Sequence, residues 1–222
     1  MNFFIFFMAC QDSTPSKKPS TGLPNPHKNG SPKEPPEEDF DIPHFGCSYT
    51  IQSVQPEWTA YKFSDKTPVS GSFNRVLLSS KKTAPTIADA LKGLSLKIDT
   101  SSVESNNAAR DKTIAKEFFA RFQSKSTIHS TILAANGDEK KGTLLIQLDM
   151  NNTQKAYTFT YQKEDSSITA NAVMDMMDFD LQQPLAAIHS ACTELHMGSD
   201  GIAKTWSEVA LRAVIQFDKT CP

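Results

Sequence analysis

Three side chains near the C-terminal end of the chain are of types that bind transition metals. They are His189, Cys192 and His196, within the stretch HSACTELH. If this stretch is helical, positions i, i+3 and i+7 lie on one face of the helix. Imidazole nitrogens and a thiolate are ligands that zinc prefers, so the spacing raises the hypothesis of a metal site.

The residues around this row indicate a different role for the face that carries it. Cys192 is in register with an apolar stripe at helical spacing, formed by Leu181, Leu185, Ile188 and Leu195. Such a stripe packs against the rest of a fold, and no fourth ligand shares the face of the histidines. We therefore predict no metal site.

Neither catalysis nor nucleic-acid binding is indicated by the rest of the sequence. It contains no Gly-x-Ser-x-Gly elbow, no phosphate-binding glycine loop and no paired-carboxylate signal. The 222 residues carry a net charge of −2, and the lysines and arginines are scattered. A nucleic-acid backbone needs a clustered basic stripe, so we predict a non-catalytic protein that does not bind nucleic acid.

The first ten residues, MNFFIFFMAC, form an apolar run that ends in a small residue and Cys10. This run resembles the end of a bacterial lipoprotein signal, which predicts that Cys10 is acylated and becomes the mature N-terminus. It is shorter than a normal signal peptide and lacks a basic region, so a frayed apolar N-terminus and a cut secretory signal are the alternatives. So short a run cannot span a bilayer. Gln11 is non-acidic, which in lipoproteins goes with sorting to the outer membrane.

The segment that follows, residues 11–44, differs in composition from the rest of the chain. It contains eight of the 13 prolines and almost no large apolar side chain. Such a segment cannot bury enough apolar surface to offset the entropy lost on ordering. We predict an extended, semi-stiff tether that holds a folded domain, residues 45–222, away from a membrane.

Apolar and polar residues alternate through most of residues 45–222, which predicts antiparallel strands. The stretches GTLLIQLDM and SEVALRAVIQF are examples. We recognise about eight such stretches, a number that suits a closed barrel. Asn151-Asn152 and Asp165-Ser166 predict hairpin turns. Gly71, inside the second strand, predicts a bend or a bulge.

Helical periodicity interrupts the strands in three places. The first is residues 107–122, where Asn106 and Asn107 are both acceptable N-caps and three apolar side chains fall on one face. Residues 179–198 carry the apolar stripe described above and end at Gly198, a residue typical of helix C-termini. Residues 84–93 predict a third, short helix. The fold class is therefore mainly β, with two or three helices that cap the barrel or are inserted into it.

One face of several strands is almost entirely apolar, and this has two interpretations. Eight strands can form a barrel that is filled by its own side chains. The same strands can instead enclose one apolar ligand, an interpretation favoured by small residues at Ala170, Ala172 and Ala213 and by the adaptable side chains of Met174 and Met176. The alternation alone leaves both interpretations open.

Motifs in the first half of the domain are similar to the YceI-like, polyisoprenoid-binding family. They are a Val-x-Gly-x-Phe strand at Val69, Gly71 and Phe73, a strand leading into Ser102-Val103, and an Arg-Asp-x-x-Leu helix ending in Phe-Phe at Arg110, Asp111, Ile114, Phe118 and Phe119. Their order and spacing match over roughly residues 48–217, and the C-terminal part resembles a lipoprotein branch of the family. Where many relatives carry histidines, this chain has Lys62-Phe63 and Thr113.

The resemblance implies a lipocalin-like antiparallel eight-stranded barrel, with two or three helices covering its mouth and side. An apolar cavity would hold a polyisoprenoid, quinone-like or other long-chain amphiphile without covalent attachment, cofactor or catalysis. Each buried CH₂ group contributes about 0.8 kcal/mol to such binding. The implied location is the bacterial cell envelope, lipid-anchored through Cys10 and facing the periplasm, with the outer membrane favoured. A homodimer is compatible with the sequence. The alternative is a structural or interaction lipoprotein with a self-filled barrel.

The residues expected to contact the ligand are those on the in-facing sides of the strands and on the aromatic end of the 107–122 helix. They are Phe73, Leu96, Ile98, Phe118, Phe119, Phe122, Ile146, Leu148, Tyr157, Phe159, Ala170, Ala172, Met174, Leu211 and Ala213. Ordinary core packing is the alternative role for each. Arg110 and Asp111 either pair with each other, contact a head group or, as we favour, stabilise the start of the helix.

Three cysteines remain after Cys10, which permits one disulfide and one free thiol in an exported domain. Cys47 begins the first strand and Cys221 follows the last. These strands pair in a closed antiparallel barrel, which favours the disulfide Cys47–Cys221. Cys192 is the rival partner of Cys47, and the sequence leaves this alternative open.

Overall fold

The computed structural model of the protein describes residues 46–79, 82–124, 127–138 and 140–222. Cys10 and the segment 11–44 lie outside these residues, so the acylation, the tether and the domain boundary at residue 45 stay predictions. Every helix in the described ranges is too short or too polar to cross a membrane.

Strands make up most of the domain, and they occupy the stretches with period-2 alternation. Within the described ranges, eight strands have five residues or more and three have two or three. They are β1 (Ser48–Lys62), β2 (Thr67–Phe73), β3 (Val76–Leu78), β4 (Thr83–Ala84), β5 (Ser95–Asp99), β6 (Val103–Glu104), β7 (Thr127–Gly137), β8 (Lys141–Met150), β9 (Thr153–Glu164), β10 (Ser167–Asp175) and β11 (Thr205–Thr220).

These strands form one antiparallel sheet with the order β3-β5-β7-β8-β9-β10-β11-β1-β2-β6, and β4 pairs with β1. The sheet curls into a half-barrel, which confirms the predicted mainly β, lipocalin-like class. The ladder is not closed in the described part, because β3 and β6 at its two ends do not pair with each other. These end strands have three and two residues, too few to support a further long ladder.

Three α-helices lie near the predicted positions, and all three are shorter than predicted. They are α1 (Ile87–Leu91), α2 (Ala108–Glu117) and α3 (Gln182–Ala191). The side chain of Asn107 caps α2 by accepting a hydrogen bond from the backbone N–H of Arg110. After α2, the chain continues as a 3-10 turn, Phe119–Arg121. The helical segment predicted over residues 107–122 therefore changes its geometry before the aromatic residues.

The predicted continuation of α3 to Gly198 is wrong. The hydroxyl of Thr193 donates hydrogen bonds to the carbonyls of His189 and Ser190, at 3.0 and 3.2 Å. These bonds use carbonyl groups at the helix end, and a separate 3-10 turn, Glu194–His196, follows. His196 therefore lies outside the helix that carries His189.

The predicted hairpin turns are present, but the predicted bulge at Gly71 is wrong. Asn151, Asn152 and Asp165 all have positive φ angles, of 52°, 63° and 48°, as tight hairpins require. The register between β1 and β2 runs without a shift past Gly71. A Cβ atom at Gly71 would lie 2.4 Å from Cζ2 of Trp58. The glycine therefore makes room for the indole ring.

Asn151 is a buried polar residue that connects the β8–β9 hairpin to two other segments. Its exposed fraction is 2%. Its amide nitrogen donates to the carbonyls of Phe179 and Asp180 at 2.8 and 3.2 Å, and its amide oxygen accepts from the backbone N–H of Gln123 at 2.7 Å. The side chain thus satisfies backbone groups that are otherwise cut off from solvent.

We expect Asn151→Gly to lower the free energy of unfolding by about 1–3 kcal/mol, because glycine keeps the positive φ and removes these hydrogen bonds. Urea denaturation followed by circular dichroism would measure the change. The matched control is Asn152→Gly, at an exposed position of the same turn, which should change stability by no more than about 0.5 kcal/mol. Equal stabilities of the two variants would contradict the role given to the Asn151 side chain.

A disulfide joins Cys47 and Cys221, as favoured from the sequence, and Cys192 is a free thiol. The rival pairing Cys47–Cys192 is wrong. The reason is the pairing of β1 with β11, in which Ser48 lies opposite Thr220. The start of one strand and the end of the other are therefore neighbours, whereas Cys192 lies at the end of α3.

Candidate functional site

The concave face of the half-barrel encloses a cavity of about 510 Å³. Its walls come from β1, β2, β5, β7, β8, β9, β10 and β11, and from α2 and α3 with the turns that follow them. Most of the lining surface is apolar. A volume of this size lies within the range of about 300–1,000 Å³ that is typical of small-molecule sites.

Most of the residues expected to contact a ligand lie in the wall of this cavity. They are Phe73, Leu96, Ile98, Phe118, Phe119, Phe122, Ile146, Leu148, Phe159, Met174, Leu211 and Ala213. The nine of these residues that belong to strands alternate with outward-facing residues, which places them on the concave face. Their position is thus established, and ligand contact remains a prediction.

Tyr157, Ala170 and Ala172 are not in the cavity wall, although they were predicted to be. The hydroxyl of Tyr157 donates to Oδ2 of Asp178 at 2.7 Å, and its ring stacks on Phe179 with a centroid distance of 6.1 Å. Burial, followed by the hydrogen bond to Asp178, raises the pKa of Tyr157. Ala170 is completely buried and Ala172 packs against the core, so the two short side chains serve packing.

An aromatic cluster at the end of α2 forms one side of the cavity. The rings of Phe118, Phe119 and Phe122 meet edge to face, with centroid distances between 5.1 and 5.6 Å. Phe73 on β2 contacts Phe119 at 5.8 Å. Aromatic pairs in this geometry add about 0.5–1.5 kcal/mol each beyond the area they bury. The cluster therefore fixes the end of α2 against β2.

The apolar stripe of α3 is a part of the cavity wall that the predicted ligand-binding set omits. Leu181, Leu185, Ile188, Cys192 and Leu195 all line the cavity. The helical spacing of these residues was visible in the sequence, but spacing does not distinguish a stripe that packs on a sheet from one that faces a cavity. Trp58 on β1 also lines the cavity and is absent from the predicted set. Its buried Nε1 has no hydrogen-bond partner in the described part of the chain.

The two histidines of the initial row converge on one hydroxyl group. Nδ1 of His189 lies 3.1 Å, and Nδ1 of His196 lies 2.7 Å, from Oγ1 of Thr205. Burial, then the charge of Lys62 and that of His189, lowers the pKa of His196. No group of three or more His, Cys, Asp or Glu side chains in the described ranges is arranged to hold a metal ion.

The free thiol of Cys192 belongs to the cavity wall. Burial raises its pKa above the ordinary value, the charge of Glu117 raises it further, and the charge of Lys62 partly opposes this shift. A thiol that stays protonated is a poor nucleophile and a poor metal ligand. Cys192 therefore acts here as a small apolar residue.

Arg110 and Asp111 bind a common partner and do not form a pair. The Nε of Arg110 donates to the hydroxyl of Ser105 at 2.8 Å, and its Nη2 donates to the Ser105 carbonyl at 2.6 Å. The same hydroxyl hydrogen-bonds to Oδ1 of Asp111. Ser105 is buried, so this network stabilises the start of α2, the role favoured from the sequence.

The half-barrel and the helices across one side of it surround an apolar cavity, a common form of small-molecule site. The sequence pattern of the YceI-like domain matches residues 49–217, and the chain belongs to the YceI-like family. A comparison with curated protein sequences finds no significant match.

Among the solved structures that are similar to this one, two share the fold over most of their length. A polyisoprenoid-binding domain from Saccharophagus degradans is 14% identical, has a TM-score of 0.52, and aligns with 78% of this chain and 98% of its own. BcnA of Burkholderia cenocepacia is 11% identical, has a TM-score of 0.52, and aligns with 74% of this chain and 96% of its own. At such low sequence identities, the structural similarity establishes the fold alone.

Proposed function

We propose that this protein binds a polyisoprenoid, quinone-like or other long-chain amphiphile in the cavity of its half-barrel. It acts as a carrier or a store and does not catalyse a reaction. The observation that carries this proposal is the apolar cavity of about 510 Å³. The name of the Saccharophagus degradans relative as a polyisoprenoid-binding domain supports it.

The energetics of burial also support an apolar ligand. A long hydrocarbon chain gains about 0.8 kcal/mol for each CH₂ group that it removes from water. The phenylalanine, leucine, isoleucine and methionine side chains of the wall would provide the contacts. Because Cys192 and Leu195 line the same space, α3 and the turn after it form part of the enclosure and not a separate packing layer.

The proposed location is the bacterial cell envelope, with Cys10 acylated and residues 11–44 acting as the tether. The apolar run that ends at Cys10 supports the anchor, and the proline-rich composition supports the tether. The outer membrane, facing the periplasm, is the proposed site of attachment. Membrane fractionation of cells that express the chain and its Cys10→Ala variant would test the anchor, since the variant should move to the soluble fraction.

Mass spectrometry of an organic extract of the purified protein tests the proposed function. We expect one long-chain lipid in an amount close to that of the protein. A protein that is empty after purification, and that also fails to bind added quinones and long-chain alcohols, would overturn the proposal. That outcome would favour the alternative of a structural or interaction protein.

A further inference from the structure

Lys62 is a charged residue on the face of β1 that lines the cavity. Trp58, Ala60 and Lys62 alternate along the end of this strand, and all three lie in the cavity wall. The register between β1 and β11 shifts between Ala60 and Lys62. Irregularities of this kind change the direction of a side chain and are frequent beside functional sites.

The other charged side chains in the wall already have partners. Glu57 and Arg212 form a salt bridge of 2.6 Å. The guanidinium group of Arg110 is bound to Ser105. Nζ of Lys62 has neither kind of partner among the described residues, since it makes no hydrogen bond and no carboxylate lies within 4.0 Å of it. Its Nζ lies 4.5 Å from the ring centroid of Phe63, a contact that leaves the positive charge uncompensated.

The surroundings of Lys62 do not supply the missing negative charge. Glu117 on α2 is the carboxylate whose charge also acts on Cys192, and it is engaged by Lys116 at 2.9 Å and Arg121 at 2.8 Å. The charge of Lys62 acts on His196, where it contributes to the lowered pKa. The two charges that act on His196, those of Lys62 and His189, are both positive, and Lys62, His196 and Thr205 all line the cavity.

We propose that Lys62 binds the anionic head group of the ligand, and that the preferred ligands are long-chain amphiphiles with a terminal carboxylate or phosphate. This inference rests on the proposed function and adds the chemical class of the ligand to it. A negative head group would compensate the charge of Lys62, while the chain would extend along the apolar wall. A neutral head group would leave that charge unpaired inside the site.

The test measures dissociation constants of the purified full chain, freed of bound lipid, by isothermal titration calorimetry. The ligands are two matched pairs: palmitate with hexadecanol, and geranylgeranyl phosphate with geranylgeraniol. The anionic member of at least one pair should bind about tenfold or more tightly than its alcohol, since hydrogen bonds to charged groups are strong. Preference in one pair only would identify whether carboxylate or phosphate is the natural head group.

Three variants test whether Lys62 causes the preference for anionic ligands. Lys62→Met should remove the preference for anionic ligands and keep the affinity for the alcohols, whereas Lys62→Arg should retain the preference. The matched control is Lys66→Met, which removes the same charge from a residue that is paired with Glu208 at 2.9 Å and lies outside the cavity wall. This control should behave as the unchanged protein does.

The pKa of His196 tests whether the anionic head group binds beside Lys62. A purely structural role of Lys62 predicts no difference in this pKa between the palmitate and hexadecanol complexes. This pKa, followed by NMR, should be higher with palmitate bound than with hexadecanol bound, because a nearby anion favours the protonated imidazole. The groups that act on it in the unliganded protein are Lys62 on β1 and His189 on α3.

The outcomes separate this inference from the proposed function. Equal affinities within both pairs, or a preference that persists in Lys62→Met, would overturn the inference and leave the proposed function standing. Failure of all four ligands to bind would overturn the proposed function as well.

Discussion

Replacing Ala213 with phenylalanine should weaken the binding of long-chain amphiphiles by about 100-fold or more, while the protein still folds. Ala213 lies in the cavity wall, opposite Pro56 on β1 and Ala170 on β10. A benzyl group at this position occupies space that the ligand chain would fill. Excluding four CH₂ groups of the ligand costs about 3 kcal/mol, which corresponds to about 100-fold in the dissociation constant.

The matched control for this variant is Ala210→Phe on the same strand. Ala210 pairs with Thr59 and Val173 and is not part of the cavity wall. The exposed fraction of Val173 is 57%, so the added ring would lie on the outer face. Fluorescence titration with a long-chain ligand, together with thermal unfolding of both variants, measures the two effects. Ligand binding that is unchanged in Ala213→Phe would show that the ligand does not use this cavity.

The second large effect is expected from removing the disulfide. The double variant Cys47→Ser/Cys221→Ser should lower the free energy of unfolding by about 2–5 kcal/mol, because the bridge closes a loop with a sequence separation of 174 residues. The bridge also joins the ends of β1 and β11, which form a ladder along nearly their full lengths. Without the bridge, the paired ends of β1 and β11 should separate more often.

Urea denaturation with and without a reducing agent provides the measurement. Reduction of the unchanged protein should reproduce most of the loss seen in the double variant and should have little effect on that variant itself. Cys192→Ser is the control, since this thiol is free and its replacement leaves the bridge intact. A double variant as stable as the unchanged protein would contradict a stabilising role of the bridge.

Local pattern was sufficient to predict the eight long strands, the hairpin turns and the start of α2. Period-2 alternation identified β8 to β11 because each strand has one face in the apolar interior and one toward solvent. Asn151 and Asn152 predicted a tight turn because asparagine tolerates the positive φ that such a turn needs. The favoured disulfide followed from the pairing of β1 with β11. These features depend on residues close in sequence, or on a single strand pairing.

The number of strands was less informative about closure of the barrel. Eight long strands would suit a closed barrel. In the described part of the chain, however, three further strands are short and the two ends of the ladder do not pair with each other, which makes an open half-barrel. The length of a strand at a sheet edge depends on what covers that edge, which local alternation does not encode. The end of α3 was missed for a related reason, because the hydroxyl of Thr193 competes for carbonyl groups of the last turn.

For the site, the sequence by itself determined which side chains share an apolar face, and these include most of the cavity wall. Only the tertiary structure decided which of these faces line an open space. Ala170 and Tyr157 share a face with cavity residues and yet pack elsewhere, while the α3 stripe borders the cavity. In the structure, His189 and His196 both approach the hydroxyl of Thr205, while Cys192 and His196 line the same cavity as Lys62. Periodicity indicates in which direction a side chain points from its own backbone. Whether a cavity forms depends on how much space the side chains of the opposite elements leave empty.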